Sequence, residues 1–378
     1  IDSIKDYSFN PDSYSGGEDA WKKMCDREDI DLIIISTPWH LHTPMAVYAM
    51  EQGKHAATEV PSATTIEECW QLVETSERTR KHCMMLSNSC YGDFELTTLN
   101  MARQGFFGEI VHGEGAYIHD RVSDPNRWAR DKNNNNWFAY RPWRLDENSN
   151  RNGNLYPTHG LGTICQVMDL NHGDQMDYLV SVSSNDFTMS DKMKELAEKD
   201  DFYQAYVGKN FRGNMNVSTI RTHNGRTIMV QHDISSPRPN VRFNMISGTK
   251  ATAQQYPNPA IATSHDDWLS EKEFKSLEES YKPEILKRIG KLAKQVGGHG
   301  GIDTLVLWRL IDCLRNGLPL DMDVYDAALW SSIAPLSEWS VANRSNSIDV
   351  PDFTSGAWKT NKPGMDISLT KGGTTKLI

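Results

Sequence analysis

The stretch "NGNLYPTHGLGT", residues 152–163, sets Tyr156 and His159 three apart where a helical pattern begins, with Gly153, Gly160 and Gly162 crowded around them. A phenol and an imidazole are side chains that can move protons. A histidine in the first turn of a helix is pushed toward its neutral form by the positive helix end, as a base should be. Leu161, Ile164, Cys165 and Met168 give the helix a buried face, and Thr158 is placed to cap it. On spacing alone, a turn holding a structural histidine is the better reading. Tyr117, ending "GEGAY", is a further candidate for acid/base work.

Other candidates sit at the ends of strand-like runs. Trp39, His40, Leu41 and His42 follow "DIDLIIISTP" (29–38), Glu59 and Val60 lie in "HAATEVP" (55–61), and Asn88 ends "HCMMLSN" (82–88). The helical patterns "TPMAVYAMEQGKH" (43–55) and "TTIEECWQLVETSERTRK" (64–81) separate them, the second opening with a capping box. Strands alternating with helices of this length predict parallel βαβ units, a Rossmann-type α/β sheet. Dinucleotides lie at the carboxyl ends of such strands. His40 and His42 lack a third ligand at convincing spacing, so no metal is expected.

Beyond residue 108 the pattern changes. "EIVHGEGAYIHD" (109–120) alternates like a strand, and 120–155 is polar and without clear periodicity. That run carries Trp128, Trp137 and Trp143 among Arg127, Arg130, Arg141 and Arg144, and its aromatics favour an ordered ligand-facing loop over disorder. "LVSVSS" (179–184), "MNVSTIRT" (215–222), "RTIMVQHDI" (226–234) and "VRFNMISGT" (241–249) follow without helices between several of them, which predicts a largely antiparallel open sheet. "LEESYKPEILKRIGKLAKQ" (277–295) and "TLVLWRLIDCLRNG" (304–317) read as helices. The expected organisation is a dinucleotide-binding unit over 1–108 and an α+β substrate unit over 109–378, with its C-terminal segment packing back.

The bulk properties narrow the function. The chain has 378 residues, 38% hydrophobic and 24% charged, ordinary globular values. A net charge of −10 argues against a nucleic-acid partner. No apolar run approaches the ~18–20 residues of a membrane-spanning helix. Cys25, Cys69, Cys83, Cys90, Cys165 and Cys313 lack C-x-x-C or zinc spacing and are read as free buried thiols. The chain starts at Ile1 without a signal peptide, and the compartment is left open, export included. A homo-oligomer is left open too.

"IDLIIISTPWHLHTPMAVYAMEQGKHAATEVPSATTIEE" (30–68) resembles the nicotinamide-dependent oxidoreductases typified by glucose–fructose oxidoreductase and inositol dehydrogenase. Their Glu-Lys-Pro stands here as Glu59-Val60-Pro61, without the lysine that assists hydride transfer. An Asp and His four apart on the later helix are replaced by Pro157 and Leu161. An ordinary dehydrogenase is therefore disfavoured. "TPWHLH", "TEVPSA", "YPTHGLGT", "GGHGGID" (297–303) and "LRNGLPLDMDVYDAALWS" (314–331) together resemble glycoside hydrolase family 109, NAD-dependent α-N-acetylgalactosaminidases on the same fold.

The resemblance implies NAD, a glycoside or glycan terminus as substrate, and a redox cycle rather than paired carboxylates. In that cycle C3 of the sugar is oxidised by NAD⁺, and the new ketone acidifies the C2 hydrogen. A base removes that proton, the C1 substituent leaves, water adds, and the ketone is reduced again. It implies His159 as base and Tyr156 and Tyr117 as acid/base partners. Trp39, His40, Leu41, His42, Glu59, Val60, Asn88 and Tyr156 would meet the cofactor. Tyr117, Arg144, Tyr156, Pro157, Thr158, His159, Tyr256 and His299 would meet the sugar. The family's Gly-rich turn would precede residue 1, and without it NAD is expected to bind poorly. The alternatives are an NAD(P)-dependent sugar oxidoreductase and an inactive truncated sugar-binding relative.

Overall fold

The computed structural model describes residues 11–123, Trp128 and residues 142–376. Three short strands, β1 (Leu32–Ile35), β2 (His55–Thr58) and β3 (Cys83–Met85), pair in parallel in that order. Their apolar runs leave Ile33, Ile35, Ala56, Ala57, Met84 and Met85 buried. The connecting helices are His42–Glu51 and Ile66–Thr79. The second starts where the Thr65 side chain accepts from the Glu68 amide at 3.1 Å, and the Glu68 carboxylate accepts from the Thr65 amide in return. Arg80 ends it in the left-handed conformation.

The remaining strands form one eight-stranded sheet: β4 (Ile110–Ile118), β5 (Met176–Ser183), β6 (Met215–Thr222), β7 (Thr227–Asp233), β8 (Met245–Gly248), β9 (Thr252–Gln254), β10 (Ala260–Ala262) and β11 (Ile348–Asp349). Their order is β10-β9-β8-β4-β7-β6-β5-β11. Every pair is antiparallel except β4 with β7. This is the Rossmann-type sheet followed by a large, mostly antiparallel sheet that the patterning predicts. The helix Val324–Ala342 packs against helix Ile66–Thr79 and β3 on one side and β5 on the other, with Trp330 fully buried. All six cysteines are free and buried. Among the described residues no helix is long and apolar enough to cross a membrane.

Several expectations need correction. The stretch read as irregular over 120–155 contains the helix Pro142–Asn150, whose mostly polar sequence hides its period because Leu145 alone is fully buried. Arg127, Arg130, Trp137 and Arg141 lie outside the described residues. The helix over 277–295 is interrupted: Glu271–Tyr281 stops before Pro283, and the chain resumes as a π-turn (Leu286–Gly290) and the helix Lys291–Val296. Proline bars its predecessor from helical angles, and Lys282 is extended at ψ 118°. The strand over 241–249 begins only at Met245, since Phe243 and Asn244 have positive φ.

Candidate active site

The helix Thr158–Val167 lies against β4 at a glycine-to-glycine contact. A Cβ on Gly160 would sit 2.2 Å from the Ala116 nitrogen, and one on Gly115 would sit 2.1 Å from the Gly160 carbonyl oxygen. That approach brings Tyr117 of β4 to His159, with ring centroids 5.6 Å apart. Tyr156 completes a triangle, 4.7 Å from Tyr117 and 4.9 Å from His159. Thr158 does not cap the helix. It is the first helical residue after Pro157, and its hydroxyl is buried without a partner.

This cluster forms one wall of an open cleft of about 960 Å³ between the strand ends of the parallel sheet and the large sheet. Trp39, His42, Glu59, Val60, Asn88, Tyr117, Arg144, Tyr156, His159 and His299 all line it. His40 and Leu41 do not: His40 points to solvent, and Leu41 packs on the core. The His42 ring contacts the carbonyl oxygens of Pro61 (2.6 Å) and Thr37 (2.8 Å). It thereby braces the turn that carries Trp39 against the Glu59–Pro61 segment. Pro157 and Thr158 are buried behind the wall, and Tyr256 lines an adjoining pocket that shares Asn240 and Arg242 with the cleft.

Trp39 stacks on Tyr156 at 5.5 Å and meets Trp143 edge-on at 5.1 Å. The Arg144 guanidinium sits in this aromatic group, 4.8 Å from the Trp39 ring, 4.7 Å from Trp143 and 5.7 Å from Tyr156. Its Nε is buried without a partner, leaving a directed donor for a ligand. Arg151 fixes the helix bearing Arg144 through bonds to Glu338 at 2.9 and 2.7 Å and to Glu147 at 2.9 Å.

Electrostatics divide the roles. Burial holds the His159 imidazole well below its ordinary pKa, and the charges of Arg242, His299 and Arg144 act in the same direction. Burial and neighbouring cations, more than the helix end, keep it neutral. Its Nδ1 is buried and unpartnered. Burial pushes the Tyr156 phenol up to about 12, so it stays a donor. Burial raises the Glu59 carboxyl, and Asp303 raises it further. Arg121 donates to the Tyr117 oxygen at 3.0 Å, which leaves the phenolic hydrogen free for another acceptor.

Asn240, Arg242, His119, Arg121 and Asp303 also line the cleft, and nothing in their spacing singles them out.

The strand-end residues fit a nicotinamide cofactor on one observation in particular. Asn88, just past β3, has a buried side-chain oxygen without a partner, an acceptor suited to a carboxamide N–H. The same cluster of unpartnered polar atoms around His159, Arg144 and Thr158 suits a hydroxyl-rich ligand.

The chain is similar to known proteins over most of its length. Residues 5–87 match the oxidoreductase family with an NAD-binding Rossmann fold, and residues 91–360 match the glycosyl hydrolase 109 C-terminal domain. A Shewanella oneidensis protein named alpha-N-acetylgalactosaminidase is 46% identical over 366 residues, 95% of this chain and 77% of its own length. One of the same name from Bacteroides fragilis is 48% identical over 353 residues, 92% of this chain and 81% of its own. Among solved structures, levoglucosan dehydrogenase with NADH and L-sorbose superposes with a TM-score of 0.64 at 18% identity, covering 88% of this chain and 83% of that one. An Azotobacter vinelandii inositol dehydrogenase homolog with NAD⁺ gives 0.58 at 16% identity, covering 88% and 81%. Those two likenesses concern the fold. With its larger part matched by one family model and relatives near half identity over almost its whole length, the chain belongs to glycosyl hydrolase family 109, NAD-dependent glycosidases built on an oxidoreductase scaffold.

Proposed function

We propose that this protein hydrolyses terminal α-N-acetylgalactosaminides by oxidation at C3, elimination across C1–C2, addition of water and reduction. The observation that carries the reading is the meeting of a neutral His159 with Tyr156 and Tyr117 in the cleft whose opposite wall is the dinucleotide-binding strand ends. NAD, when bound, supplies the hydride acceptor and donor. Trp39, Glu59, Val60, Asn88 and Tyr156 are the residues we assign to hold it.

The other steps fall to side chains. The unpartnered His159 accepts the C2 proton and returns it. Tyr156 and Tyr117 donate hydrogen bonds to sugar oxygens and stabilise the developing enolate. Arg144, braced by its aromatic group, orients the sugar. Pro157 and Thr158 shape the wall, while Tyr256 and His299 reach the sugar from the other rim. Val60, where the parent oxidoreductases carry lysine, keeps the nicotinamide side apolar and lacks the amine that would exchange a proton with the sugar hydroxyl in net alcohol oxidation. The division at residue 108 belongs to the same reading, as does a homo-oligomer using the exposed Tyr178 and Val182 on β5.

The test is turnover of an aryl α-N-acetylgalactosaminide by the full-length protein with NAD⁺. Free sugar without accumulating NADH supports the reading. Accumulating NADH would favour a sugar oxidoreductase instead.

A further inference from the structure

A second pocket, of about 320 Å³, opens beside the cleft and shares two of its walls, Asn240 and Arg242. That is the lower end of the ~300–1,000 Å³ that holds small ligands, room for one sugar ring rather than a chain. The segment carrying the shared residues runs into a strained bend. Phe243 and Asn244 both have positive φ, at 64° and 47°, and a bulky side chain such as phenylalanine is held there at a cost. Backbone bonds pin the bend on both sides. The Ala116 amide donates to the Arg242 carbonyl at 2.7 Å, and the Gln255 amide donates to the Asn244 carbonyl at 3.1 Å. Arg242 lines the pocket, and its Nε is buried without a partner.

The start of the helix Asp93–Arg103 forms another wall. Glu95, in its first turn, is buried, and the Asn244 side-chain amide donates to its Oε1 at 3.2 Å. Its Oε2 folds back over Gly92, where a Cβ would stand 1.9 Å from it. Burial pushes this carboxyl up, and a carboxylate taken from water is costly until hydrogen bonds satisfy it. Gln255 adds an amide, and Tyr256 adds a ring that meets Phe243 edge-on at 5.8 Å. An aromatic face, a carboxylate, an amide and a guanidinium around one ring-sized space suit a hydroxyl-rich ring.

Arg242 also joins this pocket to the reacting centre. After burial, its charge is the largest influence that disfavours a cation on His159. In the cycle proposed above the base stands at C2, and the leaving group is on C1, one bond away. A substituent on C1 therefore starts close to Arg242, and the pocket that shares Arg242 is where it continues.

We propose that this pocket is the subsite for the sugar to which the terminal α-N-acetylgalactosamine is attached, with Glu95, Gln255 and Arg242 binding its hydroxyls. Tyr256, at the rim between the two sugars, faces its ring. The inference rests on the glycosidase reading above, since it takes the sugar to be released to lie against His159. It makes the protein selective for what that sugar is joined to, a hexose over a short alkyl group.

The test compares two substrates that both lose an alkoxide: a disaccharide of α-N-acetylgalactosamine on a hexose, and methyl α-N-acetylgalactosaminide. The unmutated protein with NAD⁺ should show a kcat/KM about 10-fold or more higher for the disaccharide. Glu95→Gln, Gln255→Ala and Gly92→Ala should each remove most of that advantage and change methyl glycoside turnover by less than about 2-fold. Gly92 has a φ of −64°, which alanine accepts, so its variant fills the pocket and displaces the Glu95 carboxylate without straining the backbone. Calorimetry reads the same difference without turnover. Disaccharide binding should weaken by about 10-fold in the variants, and methyl glycoside binding should not. Equal kcat/KM for the two substrates in the unmutated protein, or equal losses on both in the variants, would overturn the proposal. Failure of the glycosidase reading shows separately, as hydrolysis of neither substrate, and the calorimetric comparison keeps its meaning in that case.

Discussion

The backbones of Gly115 and Gly160 touch, and this contact sets how far Tyr117 stands from His159. Gly160→Ala would place a methyl 2.2 Å from a backbone nitrogen of β4, an atom that cannot swing aside. The helix must back off, at about 1–3 kcal/mol. We expect the urea midpoint to drop and kcat to fall at least 10-fold, because His159 moves with the helix. Unchanged kcat with lowered stability would show that the proton-transfer group tolerates the shift.

Arg144 is held by three aromatic faces, an arrangement that suits a flat guanidinium better than an ammonium. Arg144→Lys should therefore raise KM by about 10-fold or more with a smaller change in kcat, and Arg144→Ala should go further. Equal binding of the sugar by the lysine variant, read by calorimetry, would contradict an orienting role.

The buried histidines give the protein an acid limit. Burial first, then neighbouring cations, lowers His159, and burial followed by Arg212 lowers His232. Unfolded chains bind a proton at these positions near pH 6.5 and the folded protein does so only well below it. The stability they confer is complete above about 6.5 and is lost as pH falls below that value. Arg242→Gln relieves part of the pressure on His159, so the acid limb of kcat/KM should move upward in pH. No movement would remove Arg242 from the account.

His172 gives an alkaline limit. Burial disfavours its charge, yet the carboxylates of Asp326, Asp323 and Asp169 outweigh that and carry it up to about 9. Its contribution is present below about pH 6.5 and lost as pH rises through about 9, on the order of 2–3 kcal/mol. In His172→Asn the unfolding free energy should change less between these pH values than in the parent.

A buried pair steadies the helix that carries Asp303. Arg309 donates to Asp321 at 2.9 and 2.7 Å, and the Tyr91 hydroxyl donates to the same carboxylate at 2.7 Å, with both charged side chains essentially inaccessible. Asp321→Asn leaves a buried guanidinium under-paired and should cost about 3–5 kcal/mol by denaturant unfolding. Combining it with Arg309→Met should recover much of that loss.

The parallel sheet was legible because LIII, HAAT and CMM are short apolar runs bounded by a capping box and by glycine stops. The cleft was legible in part. Tyr156 and His159 stand out once the family resemblance is added to their spacing, and strand ends point to Trp39, Glu59 and Asn88. The helix Pro142–Asn150 was hidden because its order comes from the Arg151–Glu338 and Arg151–Glu147 bonds rather than from an apolar stripe. Arg242 and Asp303 reach the cleft through pairings across more than 200 residues for Asn88–Asp303, or through a positive-φ kink beside Arg242, and local spacing holds no trace of either.

The most direct test of the redox cycle follows the C2 hydrogen. The full-length protein, supplied with NAD⁺ in heavy water, is given an aryl α-N-acetylgalactosaminide, and the released sugar is read by NMR. Deuterium at C2 without net NADH is the predicted result. Release with C2 hydrogen fully retained would contradict the cycle and direct attention to Glu59 and Asp303 as the carboxylates of an ordinary hydrolysis.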